Sequence, residues 1–121
     1  MDHPGIVKYL DSFLLNNELY IAIEWANKGD LKGYIRSCAM QSEKIDCEKI
    51  IDYIKQLCEA LNHMHEKRII HRDLKPANIL IFNDGTLKLS DLGLGRYMSN
   101  ETIKAFSRVG TPLYMSPEVN L

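Results

Sequence analysis

Five side chains suited to metal and phosphate chemistry lie within 21 consecutive residues of the chain, 71–91. They are two carboxylates, Asp73 and Asp91, an amide, Asn78, and two cations, Arg72 and Lys75. Carboxylate and amide oxygens are ligands that Mg²⁺ accepts in proteins, and a lysine ammonium is a compact charge that pairs with phosphate. If these groups converge, they form a site for a metal-bound phosphate.

A short hairpin is predicted between the two aspartates. Residues 79–82 and 86–89 are apolar runs that suit strands, and Asn-Asp-Gly between them is a turn signal. Pairing of the two strands would bring the loop that contains Asp73 and the residue Asp91 to the same end of the hairpin. The competing interpretation is a polar turn between a helix and a hairpin, which explains one Asp or Asn but not the whole set.

Two strands and two helices are predicted before this region. Residues 6–15 and 19–25 are predicted to form an antiparallel pair of strands, separated by an Asn-Asn-Glu break. Asp30 is a suitable cap for a first helix, and residues 45–67 carry apolar positions at helical spacing. The apolar stripe predicted to be core in this second helix comprises Ile50, Ile51, Ile54, Leu57, Cys58, Leu61 and Met64.

Composition narrows the class of protein. The 121 residues fit one domain, with 45% hydrophobic and 26% charged residues. A net charge of -1 gives no general attraction to nucleic acid or to acidic membranes, so neither partner is expected. No apolar run approaches the roughly 18 residues of a membrane span, and the Met-Asp-His-Pro start does not resemble a signal peptide. Three cysteines without Cys-x-x-Cys spacing indicate buried free thiols in a cytosolic or nuclear protein.

His63 and His65, with Cys58 nearby, raise the alternative of a zinc site. Tetrahedral zinc requires four ligands in recognisable pairs, and this stretch does not offer them. Positions 63 and 65 of a helix also point to different sides. The sequence therefore favours surface or hydrogen-bonded histidines over a metal site.

Three motifs resemble those of one enzyme family. Residues 71–78, His-Arg-Asp-Leu-Lys-Pro-Ala-Asn, resemble the catalytic loop of protein kinases, and Asp-Leu-Gly at 91–93 lies where that family usually reads Asp-Phe-Gly. Residues 110–118 resemble the substrate-binding loop and its closing Ala-Pro-Glu, with Ser116 in place of Ala. Asp-Leu-Gly-Leu-Gly-Arg and Asn-Glu-Leu at 17–19 are similar to the NIMA-related kinases. Three motifs in this order are highly specific.

The resemblance implies a two-lobed α+β fold that is only partly present. Residues 1–23 would be the last small-lobe strands, 24–30 the hinge and 31–121 the helical large lobe, with a catalytic loop at 70–78 and an activation segment at 91–118. The Gly-rich phosphate loop and the Val-Ala-Ile-Lys strand of the family are missing from these residues. The expectation is a truncated kinase domain.

The resemblance also implies the reaction, which is ATP- and Mg²⁺-dependent phosphorylation of protein substrates on Ser or Thr. Asp73 would orient the attacking hydroxyl, and Lys75 would hold charge near the transferred group. Asn78 and Asp91 would bind Mg²⁺. Asp-Leu-Lys-Pro together with Thr111 resembles the serine/threonine branch of the family.

Further roles follow from the same resemblance. Ile23 would guard the back of the nucleotide pocket, backbone groups from Glu24 to Ala26 would bond adenine, Asp30 would bond ribose and Leu80 would pack beneath adenine. Three residues would pack behind the site: Tyr9, His71 and Leu92. A phosphate on the activation segment would pair with Arg72, with Ser107 preferred over two other candidates, Ser99 and Thr102.

Two functional hypotheses remain. The first is a fragment of a NIMA-related serine/threonine kinase in the cytoplasm, with nuclear or microtubule-associated placement as variants and with other kinases or regulatory proteins as further partners. The alternative is a non-catalytic kinase-like binding module or an inactive truncated product. The complete set of chemical side chains favours the first, since a binding module has no chemical need of it.

Overall fold

The structure is a computed structural model that describes residues 2–91, 96–97 and 110–120. Two antiparallel hairpins and two long helices account for most of the regular structure in these ranges. The strands are β1 (Tyr9–Leu15), β2 (Glu18–Ile23), β3 (Ile69–Ile70), β4 (Ile79–Ile81), β5 (Leu87–Leu89) and β6 (Arg96–Tyr97). The helices are α1 (Leu31–Met40), α2 (Cys47–Glu66) and α3 (Pro117–Asn120), with short 3₁₀ turns at Pro76–Asn78 and Pro112–Tyr114.

The first hairpin pairs β1 with β2, as the sequence predicts. Asn16 and Asn17 form its turn with φ of 52° and 65°, a left-handed conformation that asparagine tolerates well. The predicted first strand is longer than the observed one, because Ile6 leaves this hairpin and bridges in parallel to Leu89 of β5. The N-terminal segment thus joins the two hairpins.

The second hairpin pairs β4 with β5 in the predicted place. The register sets Ile79 opposite Leu89 and Ile81 opposite Leu87, and all four side chains are buried. Gly85 completes the turn with φ of 85° and donates its N–H to the Phe82 carbonyl. Because successive side chains of a strand point to opposite faces, these four residues share the face of the hairpin that enters the core.

Helix α1 begins where the sequence predicts. The Asp30 carboxylate accepts a hydrogen bond from the Gly33 N–H at 2.8 Å and so caps the free amides of the first turn. Residues 28–30 also connect to β4, since the Ile81 N–H donates to the Gly29 carbonyl at 2.9 Å. The helix start is thereby fixed beside the second hairpin.

Helix α2 packs against β5 and β3, and its buried apolar face is narrower than predicted. Tyr53, Ala60 and Met64 are buried, and Leu57 and Leu61 pack against them. The other predicted core positions are exposed: Ile50 (42%), Ile51 (53%), Ile54 (54%) and Cys58. The prediction is wrong for these four residues because the hairpin and β3 cover one side of the helix, whereas the predicted stripe extends onto a second side that the described residues leave open.

One apolar core lies between α2, the second hairpin and the N-terminal segment. Its buried members are Ile6, Tyr53, Ala60, Met64, Ile69, Ile79, Ile81, Leu87 and Leu89. In the described parts of the chain, no helix combines the length and the apolar character needed to cross a membrane.

Replacing Gly5 with Ala is expected to destabilise the protein. A Cβ at Gly5 would lie 2.9 Å from the Cβ of Ala60, which the backbone of α2 holds in place. Overpacking of this kind costs about 1–3 kcal/mol of unfolding free energy. Denaturant unfolding of the variant measures it.

Gly33→Ala is the matched control for this substitution. Gly33 is exposed within α1, and its new Cβ would come no nearer than 3.6 Å to the Asp30 carboxylate. Alanine in a helix is preferred to glycine by roughly 0.5–1 kcal/mol, so this variant should be more stable than the wild type. An unchanged or raised stability of Gly5→Ala would contradict the tight contact with α2.

Candidate active site

His71 ties the loop before β4 to the end of β5. Its Nε2 lies 2.9 Å from the Ser90 carbonyl, and its Nδ1 lies 3.3 Å from the Asp73 N–H. A carbonyl can only accept and an amide N–H can only donate, so the hydrogen bonds assign the tautomer that carries its proton on Nε2. The ring is almost fully buried. It therefore fixes the backbone of Asp73 relative to the hairpin.

The Asp73 carboxylate is the centre of a hydrogen-bonded cluster. Its Oδ1 accepts from the Thr111 hydroxyl at 2.7 Å, and its Oδ2 lies 2.7 Å from Lys75 Nζ and 3.0 Å from Asn78 Nδ2. Lys75 also donates to the Thr111 hydroxyl at 2.6 Å, which leaves that hydroxyl proton directed at Asp73. Residues 38 positions apart in the chain thus meet on one buried carboxylate.

Asn78 connects this cluster to the second aspartate. Its side-chain amide also donates to the Asp73 carbonyl at 2.8 Å, and its own carbonyl accepts from the Ser90 N–H at 2.9 Å. Ser90 immediately precedes Asp91, whose side chain is exposed. The hairpin therefore brings the predicted metal-binding residues Asn78 and Asp91 to the same end, as the sequence predicts.

The backbone is left-handed on both sides of the cluster, with φ of 71° at Arg72 and 57° at Asp91. Aspartate tolerates this conformation, but arginine seldom adopts it, and its cost at Arg72 is of order 1–3 kcal/mol. The hydrogen bonds of His71, which hold the backbone of Asp73 against the end of β5, keep Arg72 in this conformation.

Gly110 brings the last member of the cluster into place. Its φ is 130°, and a Cβ there would lie 2.7 Å from the Arg72 carbonyl oxygen and 2.9 Å from Met115 Cε. Only glycine fits such a close approach of two backbone segments. Thr111 follows directly, so the approach of Gly110 to the Arg72 backbone sets the position of the Thr111 hydroxyl.

The hydrogen bonds that the Asp73 carboxylate accepts hold its pKa at about 2, below the ordinary value of 3.8. The hydrogen bond from Lys75 is the largest cause, followed by that from Thr111, while burial acts in the opposite direction. A depressed folded-state pKa means that the stability gained from ionised Asp73 is complete above about pH 4 and is lost as the pH falls through about 2.

Removing the Lys75 ammonium with Lys75→Met should therefore raise the pKa of Asp73. NMR titration of the Asp73 carboxyl carbon measures that pKa directly. The cluster predicts a rise in the variant toward the ordinary value, and the loss of stability on acidification should begin at a higher pH. An Asp73 pKa that stays at about 2 in Lys75→Met would contradict the assigned pairing.

The predicted nucleotide-binding residues lie against both strands of the second hairpin. Asp30 forms an antiparallel bridge with Leu80 of β4, so the predicted ribose and adenine contacts are adjacent. The Ala26 carbonyl accepts from the Gly29 N–H at 3.3 Å, which closes the turn after β2. The carboxylate of Glu24 is paired with Lys88 of β5, at 2.8 Å.

Some predicted residues do not fall into this arrangement. Tyr9 does not pack behind the site. It is 57% exposed because all of β1 is exposed among the described residues, and its hydroxyl donates to the Ser12 hydroxyl. The remaining predictions concern residues outside the described ranges: Leu92, Ser99, Thr102 and Ser107.

Sequence reasoning missed three residues that shape the site. Ser90 joins His71 to Asn78, Gly110 admits Thr111, and Lys88 binds Glu24. The sequence does contain an indication of the role of Lys88, since this lysine lies between two leucines in a predicted strand. Both leucines, Leu87 and Leu89, are buried in the structure. Ser90 and Gly110 act through backbone contacts, which residue type alone does not indicate.

The comparison with known proteins agrees with this arrangement. The protein kinase domain family matches residues 1–120, and the chain belongs to that family. It is 40% identical to the serine/threonine-protein kinase Nek1 of Mus musculus over 119 residues, which cover 98% of this chain and 10% of Nek1. It is 42% identical to the serine/threonine-protein kinase PAK mbt of Drosophila melanogaster, over 97% of this chain and 18% of that protein.

A further relative is the human serine/threonine-protein kinase Nek2, 38% identical over 98% of this chain and 28% of Nek2. The curated relatives it matches are much longer, and the chain spans 10% to 35% of their length. The resemblance to serine/threonine protein kinases, with Nek proteins among the relatives, is confirmed. The fold is accordingly part of an α+β protein kinase domain.

Proposed function

We propose that this chain is the catalytic-loop portion of an ATP- and Mg²⁺-dependent serine/threonine protein kinase. The observation that supports it most strongly is the Asp73 carboxylate held by Lys75, Asn78 and Thr111 within 3.0 Å. A polar turn accounts for the local contacts of Lys75 and Asn78 but not for that of Thr111, which is 38 positions away in the chain. A binding module has no chemical use for the complete set. The boundaries proposed from the sequence remain 1–23, 24–30 and 31–121.

Asp73 Oδ1 is the atom that would receive the hydroxyl of a substrate Ser or Thr. Each carboxylate oxygen has two lone pairs. The Oδ2 atom accepts from both Lys75 and Asn78, whereas Oδ1 accepts only from Thr111 among its described side-chain partners. A pKa of about 2 makes Asp73 a weak base in the resting site. Its main contribution would therefore be to orient the hydroxyl, with proton acceptance late in the reaction.

Lys75 would supply positive charge to the site, and its arrangement with Thr111 would favour serine and threonine as substrates. The Lys75 ammonium lies 2.7 Å from Asp73 Oδ2, so it can neutralise the transferring phosphoryl group next to the attacking oxygen. Thr111 holds both side chains from the substrate-binding side. This arrangement supports the proposal of Ser/Thr phosphorylation that the Asp-Leu-Lys-Pro motif first suggested.

The residues present fit a magnesium ion. Asn78 uses its amide nitrogen toward Asp73, which leaves its amide oxygen for a cation, and Asp91 is an exposed residue at the same end of the hairpin. Mg²⁺ requires few protein oxygens when phosphates and water complete its shell. When bound, the ion would neutralise charge on the nucleotide phosphates. Asp30 and Leu80 would hold ribose and adenine, with the Glu24–Ala26 backbone opposite.

The finer assignments follow the relatives. We place the protein in the NIMA-related group because Nek proteins are among its relatives and because of its Asp-Leu-Gly motif. Protein substrates and kinase or regulatory partners are proposed on the same basis. All three cysteines are free thiols, which supports a cytoplasmic or nuclear location, although the prediction that they are buried is correct only for Cys38 and wrong for Cys47 and Cys58.

Phosphorylation of a generic Ser/Thr protein substrate by the full-length protein tests the proposal. Asp91→Asn removes a proposed metal ligand, and its activity should fall by at least two orders of magnitude, with partial recovery at raised Mg²⁺. Asp11→Asn, on the exposed strand β1, is the control and should match the wild type. Wild-type protein without ATP-dependent transfer would refute the proposed function.

A further inference from the structure

Lys88 is more buried than is usual for a lysine. Its neighbours in β5, Leu87 and Leu89, are buried, and the Lys88 side chain itself is only 18% exposed. The ammonium lies 4.6 Å above the ring of Phe82, so its aliphatic part follows the hairpin surface rather than extending into water. A lysine that served only solubility would not be held in this way.

The ammonium is directed at a single carboxylate. Lys88 Nζ lies 2.8 Å from both Oε1 and Oε2 of Glu24, which is 22% exposed. The Glu24 Oε1 atom also accepts from the Lys8 N–H at 2.7 Å, and the Glu24 N–H donates to the Lys8 carbonyl at 3.0 Å. Burial works against ionisation of Glu24, but the hydrogen bonds from Lys88 and Lys8 outweigh it, and the pKa of Glu24 lies below its ordinary value.

This ion pair joins the two sides of the proposed adenine site. Glu24 begins the segment whose backbone would bond the adenine edge, and Lys88 lies directly opposite Leu80, the proposed adenine floor, in the β4–β5 register. Asp30, the proposed ribose contact, bridges the same Leu80. One side chain therefore connects the hinge to the strand pair that carries the floor.

We propose that Lys88 is a positioning residue for the nucleotide, acting through the Glu24 carboxylate to hold the hinge backbone at a fixed distance from Leu80. The inference rests on the proposed function, because it requires adenine to lie between these two elements. Lys88 would not touch the nucleotide or the reacting atoms.

The competing explanation is an ion pair of no functional consequence. Exposed pairs contribute little, and the hairpin is also joined to the hinge region by backbone bonds such as Ile81 N–H to Gly29 carbonyl, at 2.9 Å. Because those bonds remain, loss of Lys88 should shift the hinge without unfolding it. A positioning role therefore predicts weaker nucleotide binding at nearly unchanged turnover, which an inert pair does not.

The test uses Lys88→Met, which keeps length and removes charge, and Glu24→Gln, which keeps shape and removes charge, in the full-length protein. Each should raise the KM for ATP about tenfold, the lower end of the effect of losing one charge-assisted contact, with kcat within about twofold of wild type. The double variant should be no worse than the poorer single variant, because both substitutions remove the same contact. Lys88→Arg should recover most of the affinity.

Lys55→Met, at an exposed position of α2, is the matched control and should leave the KM for ATP unchanged. Calorimetric titration with MgADP provides a readout that does not depend on turnover. If the wild type binds MgADP and both variants bind it equally well, Lys88 is not a positioning residue and the proposed function stands. If the effects of the two substitutions add, Lys88 does not act through Glu24. A wild type that neither binds MgADP nor transfers phosphate refutes the proposed function, and this inference with it.

Discussion

Asp73→Asn should lower kcat by about 10²–10⁴-fold, the range attributed to positioned acid–base groups. The amide has one acceptor oxygen in place of two. It cannot accept from Lys75 and Thr111 and still receive a substrate hydroxyl, as the carboxylate can. The KM for ATP should change little, because Asp73 faces the hydroxyl rather than the nucleotide. Initial-rate kinetics with varied ATP and varied protein substrate separate the two effects.

Asp84→Asn is the matched control for this prediction. Asp84 lies in the turn between β4 and β5, is exposed, and accepts from the Thr86 N–H through an oxygen that asparagine retains. Its kinetics should equal those of the wild type. If Asp73→Asn kept more than about a tenth of wild-type kcat, the assignment of Asp73 to the reacting hydroxyl would be wrong, given the range expected for such groups.

Gly110→Ala should lower activity about 10²-fold, comparable to the loss from displacing a reacting group by about 1 Å. The new Cβ would lie 2.7 Å from the Arg72 carbonyl oxygen, and backbone on both sides prevents a cheap adjustment. Relief of this contact moves Thr111 away from Asp73 and Lys75. The variant should therefore also show a raised pKa of Asp73, because the Thr111 hydrogen bond is its second largest cause.

Gly85→Ala separates this effect from backbone strain alone. Gly85 also has a positive φ, of 85°, but a Cβ there meets no atom within 4 Å. An alanine at Gly85 should reduce stability by roughly 1–2 kcal/mol, the cost of a left-handed non-glycine residue, and leave kcat unchanged. Equal kinetic losses in both glycine variants would show that strain, and not the displacement of Thr111, controls activity.

The sequence was sufficient for features that depend on local pattern. The β4–β5 hairpin follows from two apolar runs around Asn-Asp-Gly, and the start of α1 follows from the capping ability of Asp30. The placement of Asn78 and Asp91 at the same end is a geometric consequence of that hairpin. The motif spacing identified the family, and the match over residues 1–120 confirms it.

Features that depend on tertiary approach were beyond the sequence. Helical spacing marked Ile50, Ile51 and Ile54 as core, but periodicity does not tell which of two adjacent apolar faces the hairpin covers. The contact of Gly110 with the Arg72 carbonyl joins segments far apart in the chain, and a glycine in a loop has many possible reasons. The pairing of Lys88 with Glu24 likewise required the register of β5.

The most direct measurement is phosphoamino-acid analysis of a protein substrate after incubation with the full-length protein and γ-labelled ATP, with and without Mg²⁺, beside Asp73→Asn. The account predicts Mg²⁺-dependent label on serine and threonine that falls by at least about 10²-fold in the variant. Label on tyrosine would contradict the substrate class. Equal labelling by the wild type and Asp73→Asn, or no labelling by the wild type, would contradict the proposal that this loop carries out phosphoryl transfer.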